Sequence, residues 1–439
     1  MCKAVFLLER KMKTLIDFLS DRRNLCKFYL YAMMVIIAVV PFFFGKGTDL
    51  SFLYTLNRAV CSIWTLFLLL SDLIHHRVPK GLLSWSSAWL CAAACLSLIF
   101  GTSSPSSGQI AGIFFLIMTS YLAVTVGFYH SDTFSDDFDP LFRILAIELF
   151  GLAAVSLIMF LFYKNGYESV FGIPYDAVTS PRVVRVRYSG ILGFATAGGY
   201  HLIAGLILCF YLSAKKKLPV WFRNLDILVS MVMIMLEDAR NAYLEAAIIV
   251  LLLLYRWMRT KMQAKQVKWI LAGAAAAVGI FYVLRDASMN DPSNGTALEY
   301  LNRFTSGRLA LWAGAVKGFL SNPVFGQGWL NGSAITAVDP TLSNAHNVFM
   351  NVLLWTGLAG MIPFCIFLIG GLIRILRNRR NLRSPADQWL MVLVICILWG
   401  SMLSSVSIIG DDSHLVSILF YLSFGYLYYL TPRKEKALK

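Results

Sequence analysis

Charged residues are scarce in this chain: they make up 14% of its 439 residues, whereas 58% are hydrophobic. With a mean hydropathy of +0.66, the polar surface of the chain is too small to cover it in water. The composition therefore excludes a water-soluble globular protein and predicts an integral membrane protein. The formal net charge of +15 requires no nucleic-acid partner, because polytopic membrane proteins concentrate Lys and Arg in their cytoplasmic loops.

Cysteine is missing from the long polar segment 285–345, and the eight cysteines of the chain lie in apolar runs or in segments predicted to be cytoplasmic. This distribution suggests neither a disulfide framework nor a CxxC metal site. Internal repeats are also absent, which disfavours the symmetric architecture of many secondary transporters. No small-residue cleavage site follows the first apolar run, so we interpret that run, 28–44, as a transmembrane span.

Apolar runs of about 20 residues, the length that crosses a bilayer, recur along the chain. They predict an all-α polytopic protein with about twelve transmembrane helices at 28–44, 52–74, 81–100, 110–130, 141–162, 191–213, 224–238, 241–257, 268–284, 346–370, 388–409 and 413–430. Lys and Arg are concentrated in alternate connections, beginning with residues 1–27. By the positive-inside rule, both termini are cytoplasmic.

This orientation divides the chain into five parts, and the second of them, 28–284, contains a further outward loop at 163–190. The parts are a cytoplasmic N-terminal segment 1–27, helices 1–9 within 28–284, an extracytoplasmic catalytic loop 285–345, helices 10–12 within 346–430, and a cytoplasmic tail 431–439. The short span 224–238 has an alternative interpretation as two half-helices or a re-entrant segment. The long polar segment 285–345 is where we expect the chemistry.

Arginine is frequent on the outward side, where the positive-inside rule predicts few cations. A guanidinium group donates two hydrogen bonds to phosphate and stays charged, so such a cluster suggests an anion such as a lipid diphosphate. The alternative is that these residues bind ordinary phospholipid head groups or pair with nearby acids. The arginines of this outward set are Arg182, Arg185, Arg187, Arg240, Arg303 and Arg308.

Within 285–345, the sequence SGRLALWAGAVKGFL predicts an interfacial helix with Ser306 as its N-cap. Its apolar face is predicted to consist of Leu309, Trp312, Val316 and Phe319. Arg308 falls in the first turn, where a cation opposes the helix dipole unless an anion binds there. The following NPVFGQG, with Gly326 and Gly328, predicts a tight turn that brings backbone N–H groups near a ligand.

His346 opens the tenth predicted span and is followed by Asn347. A helix N-terminus disfavours imidazolium, so we expect a neutral ring that accepts a proton near pH 7. The alternative role is a polar anchor at the membrane interface. His346 ends the outward segment that also carries Arg303 and Arg308. A base and an anion clamp on one face are what glycosyl transfer from a diphosphate requires.

These elements, taken in order, resemble the O-antigen ligase/polymerase family. Its members are bacterial membrane glycosyltransferases that use undecaprenyl-diphosphate-linked glycans at the outer face of the cytoplasmic membrane. The resemblance extends over about 110 residues of the chain. The matching elements are Arg240 in EDARNAYLEA, Gly307-Arg308 with Trp312, Asn322-Pro323 with Gly326 and Gly328, and His346-Asn347.

The resemblance implies that Arg240 and Arg308 bind the donor diphosphate and that His346 activates the acceptor hydroxyl, without a metal ion or cofactor. Arg187 looks similar to a further arginine of the polymerases, and Arg185 is an equally placed rival. The implied partners are an undecaprenyl-diphosphate-linked glycan donor, a glycan acceptor, the lipid bilayer, and flippase and chain-length regulator proteins. The implied location is the bacterial cytoplasmic membrane.

The leading hypothesis is a repeat-unit polymerase of surface polysaccharide biosynthesis, which makes O-antigen, capsule or exopolysaccharide. The arginine-rich loop 163–190 favours it, because a second carrier-linked substrate needs a second anion site. One alternative is an O-antigen ligase acting on a lipid or other surface acceptor. Another is a transporter or flippase of lipid-linked glycans, which predicts charged residues along a membrane-crossing path. A signalling or scaffolding protein would leave the outward arginines and His346 unexplained.

Overall fold

The structure is a computed structural model of the chain. It describes residues 30–31, 51–102, 104–165, 169–170, 173–174, 176–179, 186–191, 195–237, 240–259, 273, 302, 305, 307–378, 382, 384–403, 408–409 and 414–430. The predicted spans 28–44 and 268–284 lie outside the described residues except for 30–31 and 273. The predicted cytoplasmic segments 1–27 and 431–439 also lie outside them.

Helices dominate the described residues, and most of them coincide with the apolar runs of the sequence. Their bounds are α1 Ser51–Ile74, α2 Leu82–Phe100, α3 Ser107–Tyr129, α4 Phe134–Lys164, α5 Ala195–Ala214, α6 Val220–Glu237, α7 Arg240–Arg259, α8 Arg308–Ser321, α9 Ser333–Thr336, α10 Val348–Arg377, α11 Pro385–Leu403 and α12 His414–Tyr429. Short π-helical turns interrupt α3 at Leu122–Val126 and α10 at Ile366–Gly370. The buried helix α5 packs against α4, α6, α7 and α11.

Among the described residues, α2, α3, α4, α10 and α11 are long and apolar enough to cross a membrane. Shorter apolar helical segments at Val60–Ile74, Gly199–Ala214, Asn241–Leu254 and Leu415–Tyr429 accompany them. A helical, multi-pass membrane protein is therefore confirmed. The number of twelve spans and their orientation stay predictions, and "outward" below refers to the predicted orientation.

Several helices differ from their predicted spans. The helix predicted at 141–162 begins earlier, at Phe134, and contains Pro140 near its start. The segment 224–238 forms one uninterrupted helix, Val220–Glu237, and not two half-helices. The segment 346–370 forms a helix that starts at Val348 and continues to Arg377.

Short strands occupy part of the outward loop 163–190, where the all-α prediction anticipated none. Their bounds are β1 Ser169–Val170, β2 Ile173–Pro174, β3 Asp176–Thr179 and β4 Val186–Gly190. The strands β1 and β2 pair antiparallel, as do β3 and β4, with Val178 opposite Arg187. Valine, threonine and tyrosine favour such extended pairs. The Tyr188 hydroxyl donates to the Ser156 carbonyl at 2.9 Å, which fastens the β3–β4 hairpin to α4.

The helix α10 is broken at Gly357, whose φ of 58° and ψ of −154° are not helical. Carbonyls on one side of a break lose their helical donors. Here the Leu354 carbonyl accepts the Gln327 N–H at 2.8 Å, and the Trp355 carbonyl accepts the Gly328 N–H at 3.1 Å. The NPVFGQG turn therefore supplies the donors that the helix lacks.

The other side of the break is completed by the same turn. The N–H groups of Leu358 and Ala359 donate to the carbonyls of Pro323 and Val324, at 2.9 and 3.0 Å. A Cβ at Gly357 would lie 2.5 Å from the Val324 carbonyl oxygen, so the two backbones approach too closely for a side chain. The turn and the broken helix form one interlocked unit.

Replacing Gly357 with alanine is expected to destabilise the protein by at least about 1–3 kcal/mol, the cost of a non-glycine residue in a strained backbone region. The clash with the turn adds to this cost. Thermal unfolding in detergent micelles would measure the loss. The matched control is Gly151→Ala in α4, where an added Cβ meets no atom within 4 Å. Equal melting temperatures for the two variants would contradict the interlocked unit.

Candidate functional site

The helix α8 begins directly after Gly307, which has a left-handed φ of 83° and no side-chain cap. The predicted cap, Ser306, lies outside the described residues. The capping group is instead the Oδ1 of Asn302, which accepts the Ala310 N–H at 3.1 Å. The Asn302 carbonyl accepts the Gly307 N–H at 2.7 Å, so the chain folds back before the helix starts. Arg308 is thereby fixed at the first position of α8.

The face that α8 buries differs from the predicted face. Its buried residues are Leu311, Gly314, Ala315 and Gly318. Val316, which was predicted to share the apolar face, is 39% exposed. The physical reason is close packing, because a Cβ at Gly318 would lie 2.5 Å from a Leu354 methyl of α10. Small residues bring α8 against α10, and Val316 lies on the exposed side.

The segment before α10 is held by hydrogen bonds from two helices. The Trp312 indole of α8 donates to the Ala345 carbonyl at 3.0 Å. The Oδ1 of Asn351, in α10, accepts the Ala345 N–H at 2.7 Å. The next N–H, that of His346, donates to the Asn344 side chain at 3.0 Å. This network connects Trp312, one of the residues that carry the family resemblance, to the residue before His346.

His346 has a left-handed φ of 51° and a half-buried side chain. Histidine adopts this region more often than most residues, yet the surroundings must impose it. Burial and, to a smaller extent, the positive charge of Arg308 lower the pKa of His346 from 6.5 to about 4, against a smaller opposing effect of Asp339. The imidazole is therefore neutral at neutral pH, and Arg308 lies close enough to act on it.

Asn347 caps α10 and connects it to α11. Its Oδ1 accepts the N–H groups of Phe349 and Met350, at 2.9 and 3.1 Å. Its Nδ2 donates to the carbonyl of Met402 at 3.1 Å. Carbonyls at the end of a helix have no partner within that helix, so this amide stabilises the ends of both α10 and α11.

The adjacent carbonyl of α11 binds the start of α7 in the same way. The Nδ2 of Asn241 donates to the Leu403 carbonyl at 3.2 Å and to the Tyr200 hydroxyl at 3.3 Å. Arg240 is the first residue of α7 and precedes Asn241. Successive carbonyls of α11 therefore bring the backbones of Arg240 and His346 to one end of the helix bundle.

The structure describes the remaining predicted site residues to different extents. Arg185 and Arg303 lie outside the described residues. Arg187 and Arg240 are described by their backbones alone, in β4 and at the start of α7. Their binding roles stay predictions.

The turn glycines, Gly326 and Gly328, have a structural role in the NPVFGQG turn. Their N–H groups donate to the carbonyls of Asn322 and Trp355, at 2.8 and 3.1 Å. These N–H groups have acceptors within the protein, and a supporting role of the two glycines toward a ligand stays a prediction. Both glycines have positive φ, and a Cβ at Gly326 would lie 2.5 Å from the Leu354 carbonyl oxygen. Their contribution is to let the turn approach the break in α10.

Three asparagines of this region were missed by the sequence reasoning: Asn302, Asn241 and Asn351. Asn351 follows Asn347 by four residues, which places both on one helical face. That spacing was the available signal. The described residues contain no group of three or more His, Cys, Asp or Glu side chains that could hold a metal ion.

Comparison with known proteins concerns the same part of the chain. Residues 225–365 match the O-antigen ligase family. The resemblance to this family is confirmed. The matched region extends from α6 to α10 and includes Arg240, Arg303, Arg308 and His346, whereas Arg185 and Arg187 precede it.

A curated relative adds to this family match. The General O-oligosaccharyltransferase of Acinetobacter baylyi is 26% identical over 183 residues. The match covers 38% of this chain and 32% of that protein, so the chain spans about a third of the length of its relative. The region that matches the O-antigen ligase family, residues 225–365, contains both His346 and Arg308.

Proposed function

We propose that this protein is a ligase-type membrane glycosyltransferase that moves a glycan from a polyprenyl diphosphate to an acceptor hydroxyl on the outward side of the bacterial cytoplasmic membrane. The observation that carries this proposal is a neutral His346, just before α10, whose pKa is lowered by burial and by the cationic Arg308 at the start of α8. The family match over residues 225–365 supports it, since both residues lie in that region.

In the proposed reaction, the neutral imidazole of His346 accepts the proton of the acceptor hydroxyl. The hydroxyl oxygen forms a bond to the anomeric carbon of the donor glycan. The bond from that carbon to the diphosphate oxygen breaks, and its electron pair leaves with the diphosphate. Arg308 stabilises the charge that develops on the leaving group, and we propose the same role for Arg240. Undecaprenyl diphosphate is the carrier that the family resemblance implies.

Transfer of a preassembled glycan is favoured by the name of the relative, an oligosaccharyltransferase. A repeat-unit polymerase is the second candidate. It is favoured by the β3–β4 hairpin, which carries Arg187 and packs against α4 and α6, because this hairpin offers a second arginine near the bundle. Both reactions use the same base and clamp and differ in the acceptor. Flippase and chain-length regulator partners belong to the polymerase candidate.

Reconstitution decides between the two candidates. The full-length protein would be placed in liposomes with undecaprenyl-diphosphate oligosaccharide, first alone and then with a lipid or peptide acceptor. Mass spectrometry of the products would show donor units joined to one another for a polymerase, or the oligosaccharide on the added acceptor for a ligase. Donor that stays intact in the presence of both acceptor types would overturn the proposed function.

The pH dependence of transfer gives a separate prediction. Since the pKa of His346 is lowered to about 4, the base is available at neutral pH and is lost only when the pH falls through about 4. The acidic limb of kcat/KM, which reports the free enzyme, is therefore expected near pH 4. Initial rates in buffered liposomes between about pH 3.5 and 8 would measure it. A limb centred at the ordinary value of 6.5 would contradict the buried, neutral base.

A further inference from the structure

Asn351 lies one helical turn after Asn347 in α10 and is 1% exposed. Its Oδ1 accepts the Ala345 N–H at 2.7 Å. Its Nδ2 is buried without a hydrogen-bond partner in the part of the chain that the structure describes. The oxygen is therefore the half of this carboxamide that contributes a polar contact.

The peptide groups of Ala345 are held from two directions. Trp312 of α8 donates to its carbonyl at 3.0 Å, and Asn351 of α10 accepts from its N–H. The following residue, His346, has the left-handed φ of 51°. A non-glycine residue keeps that conformation when its neighbours are fixed. The two bonds to Ala345 fix the direction in which the chain enters His346.

We infer that Asn351 is a positioning residue for His346, acting through the Ala345 peptide; this inference rests on the proposed function. A general base must lie within about 2.6–3.2 Å of the oxygen whose proton it takes. Displacing a reacting group by about 1 Å costs up to about a hundredfold in rate. Without the Asn351 oxygen, the buried Ala345 N–H loses its acceptor, and the residue that precedes His346 loses one of the two hydrogen bonds that hold it.

Two substitutions separate the oxygen from the rest of the side chain. Asn351→Asp keeps an oxygen that accepts the Ala345 N–H, and the Nδ2 that it removes makes no hydrogen bond within the described part of the chain. Asn351→Leu keeps the branching at Cγ and the number of side-chain heavy atoms and removes the acceptor. We expect kcat to fall about ten- to a hundredfold in Asn351→Leu, with the donor KM within about twofold because Arg308 is untouched, and to recover largely in Asn351→Asp.

A purely structural role would give a different pattern. It would lower the amount of folded protein or its melting temperature and leave kcat per folded molecule unchanged, which would overturn the inference. A folded but inactive Asn351→Asp variant would overturn it too. If Asn351→Leu does not fold, Trp312→Phe tests the same peptide by removing the other bond. Unchanged kcat in Trp312→Phe would argue against control of His346 through Ala345.

A readout without turnover distinguishes this inference from the proposed function. Diethyl pyrocarbonate reacts with neutral imidazole, and mass spectrometry of the His346 peptide follows its modification. The midpoint is expected near pH 4 in the unaltered protein and nearer to the ordinary 6.5 in Asn351→Leu, because the ring moves out of its buried place beside Arg308. An inactive unaltered protein would refute the proposed function alone. An unchanged midpoint in Asn351→Leu would refute the positioning role.

Discussion

Replacing His346 with alanine is expected to lower glycan transfer by about a hundred- to ten-thousandfold, the contribution of a positioned general base. Donor binding should remain, because the arginines that we assign to the diphosphate are unchanged. The measurement is transfer by purified variant in liposomes, together with the glycan profile of cells with matched membrane levels. Glycan that accumulates on the carrier at the expense of the final product is the expected profile.

The variant His346→Asn distinguishes the loss of the base from a change of the backbone at this position. Asparagine tolerates a left-handed backbone and is no base, so His346→Asn should be as inactive as His346→Ala. His76→Ala is the matched control, since His76 also has a φ of 51° but lies exposed outside the site. It should leave transfer unchanged. Full activity in His346→Asn would remove His346 as the base and make it an interface anchor.

Replacing Arg308 is expected to give the second large effect. Hydrogen bonds to charged groups contribute about 1.5–3 kcal/mol, so Arg308→Ala should lower kcat/KM for the lipid-linked donor by about ten- to a hundredfold. Arg308→Lys should recover little, because a point charge does not replace the planar fork. Donor titrations with purified protein would measure both. Full activity in Arg308→Lys would reduce this residue to a balancing charge.

Arg308→Ala also predicts a change at His346. The positive charge of Arg308 lowers the pKa of His346, so its removal should move the acidic limb of the pH profile to higher pH. Lys317→Ala, in the same helix but on its exposed side, is the matched control and should alter neither the rate nor the limb. An acidic limb at the same pH in Arg308→Ala would show that Arg308 does not act on the pKa of His346, and it would contradict a site that pairs the two side chains.

Local patterns of the sequence predicted much of this protein. The apolar runs located helices such as α2 and α3 to within a few residues, because crossing a bilayer requires about 20 consecutive apolar residues. The ordered elements around Gly307-Arg308 and His346-Asn347 predicted the resemblance to the O-antigen ligase family, which the match over residues 225–365 confirms. Cations are rare in outward loops of membrane proteins, so the amino-acid sequence also singled out the arginines as candidate ligands of an anion.

Contacts between distant residues decided the rest. The break at Gly357 and the turn from Pro323 to Gly328 complete each other's hydrogen bonds, and neither stretch encodes that pairing alone. The buried face of α8 follows from how closely Gly318 approaches α10, which helical periodicity does not contain. The low pKa of His346 arises from burial and from Arg308, which lies far away in the chain. Local sequence thus predicts where helices form, whereas packing determines which backbone groups need partners and which side chains meet.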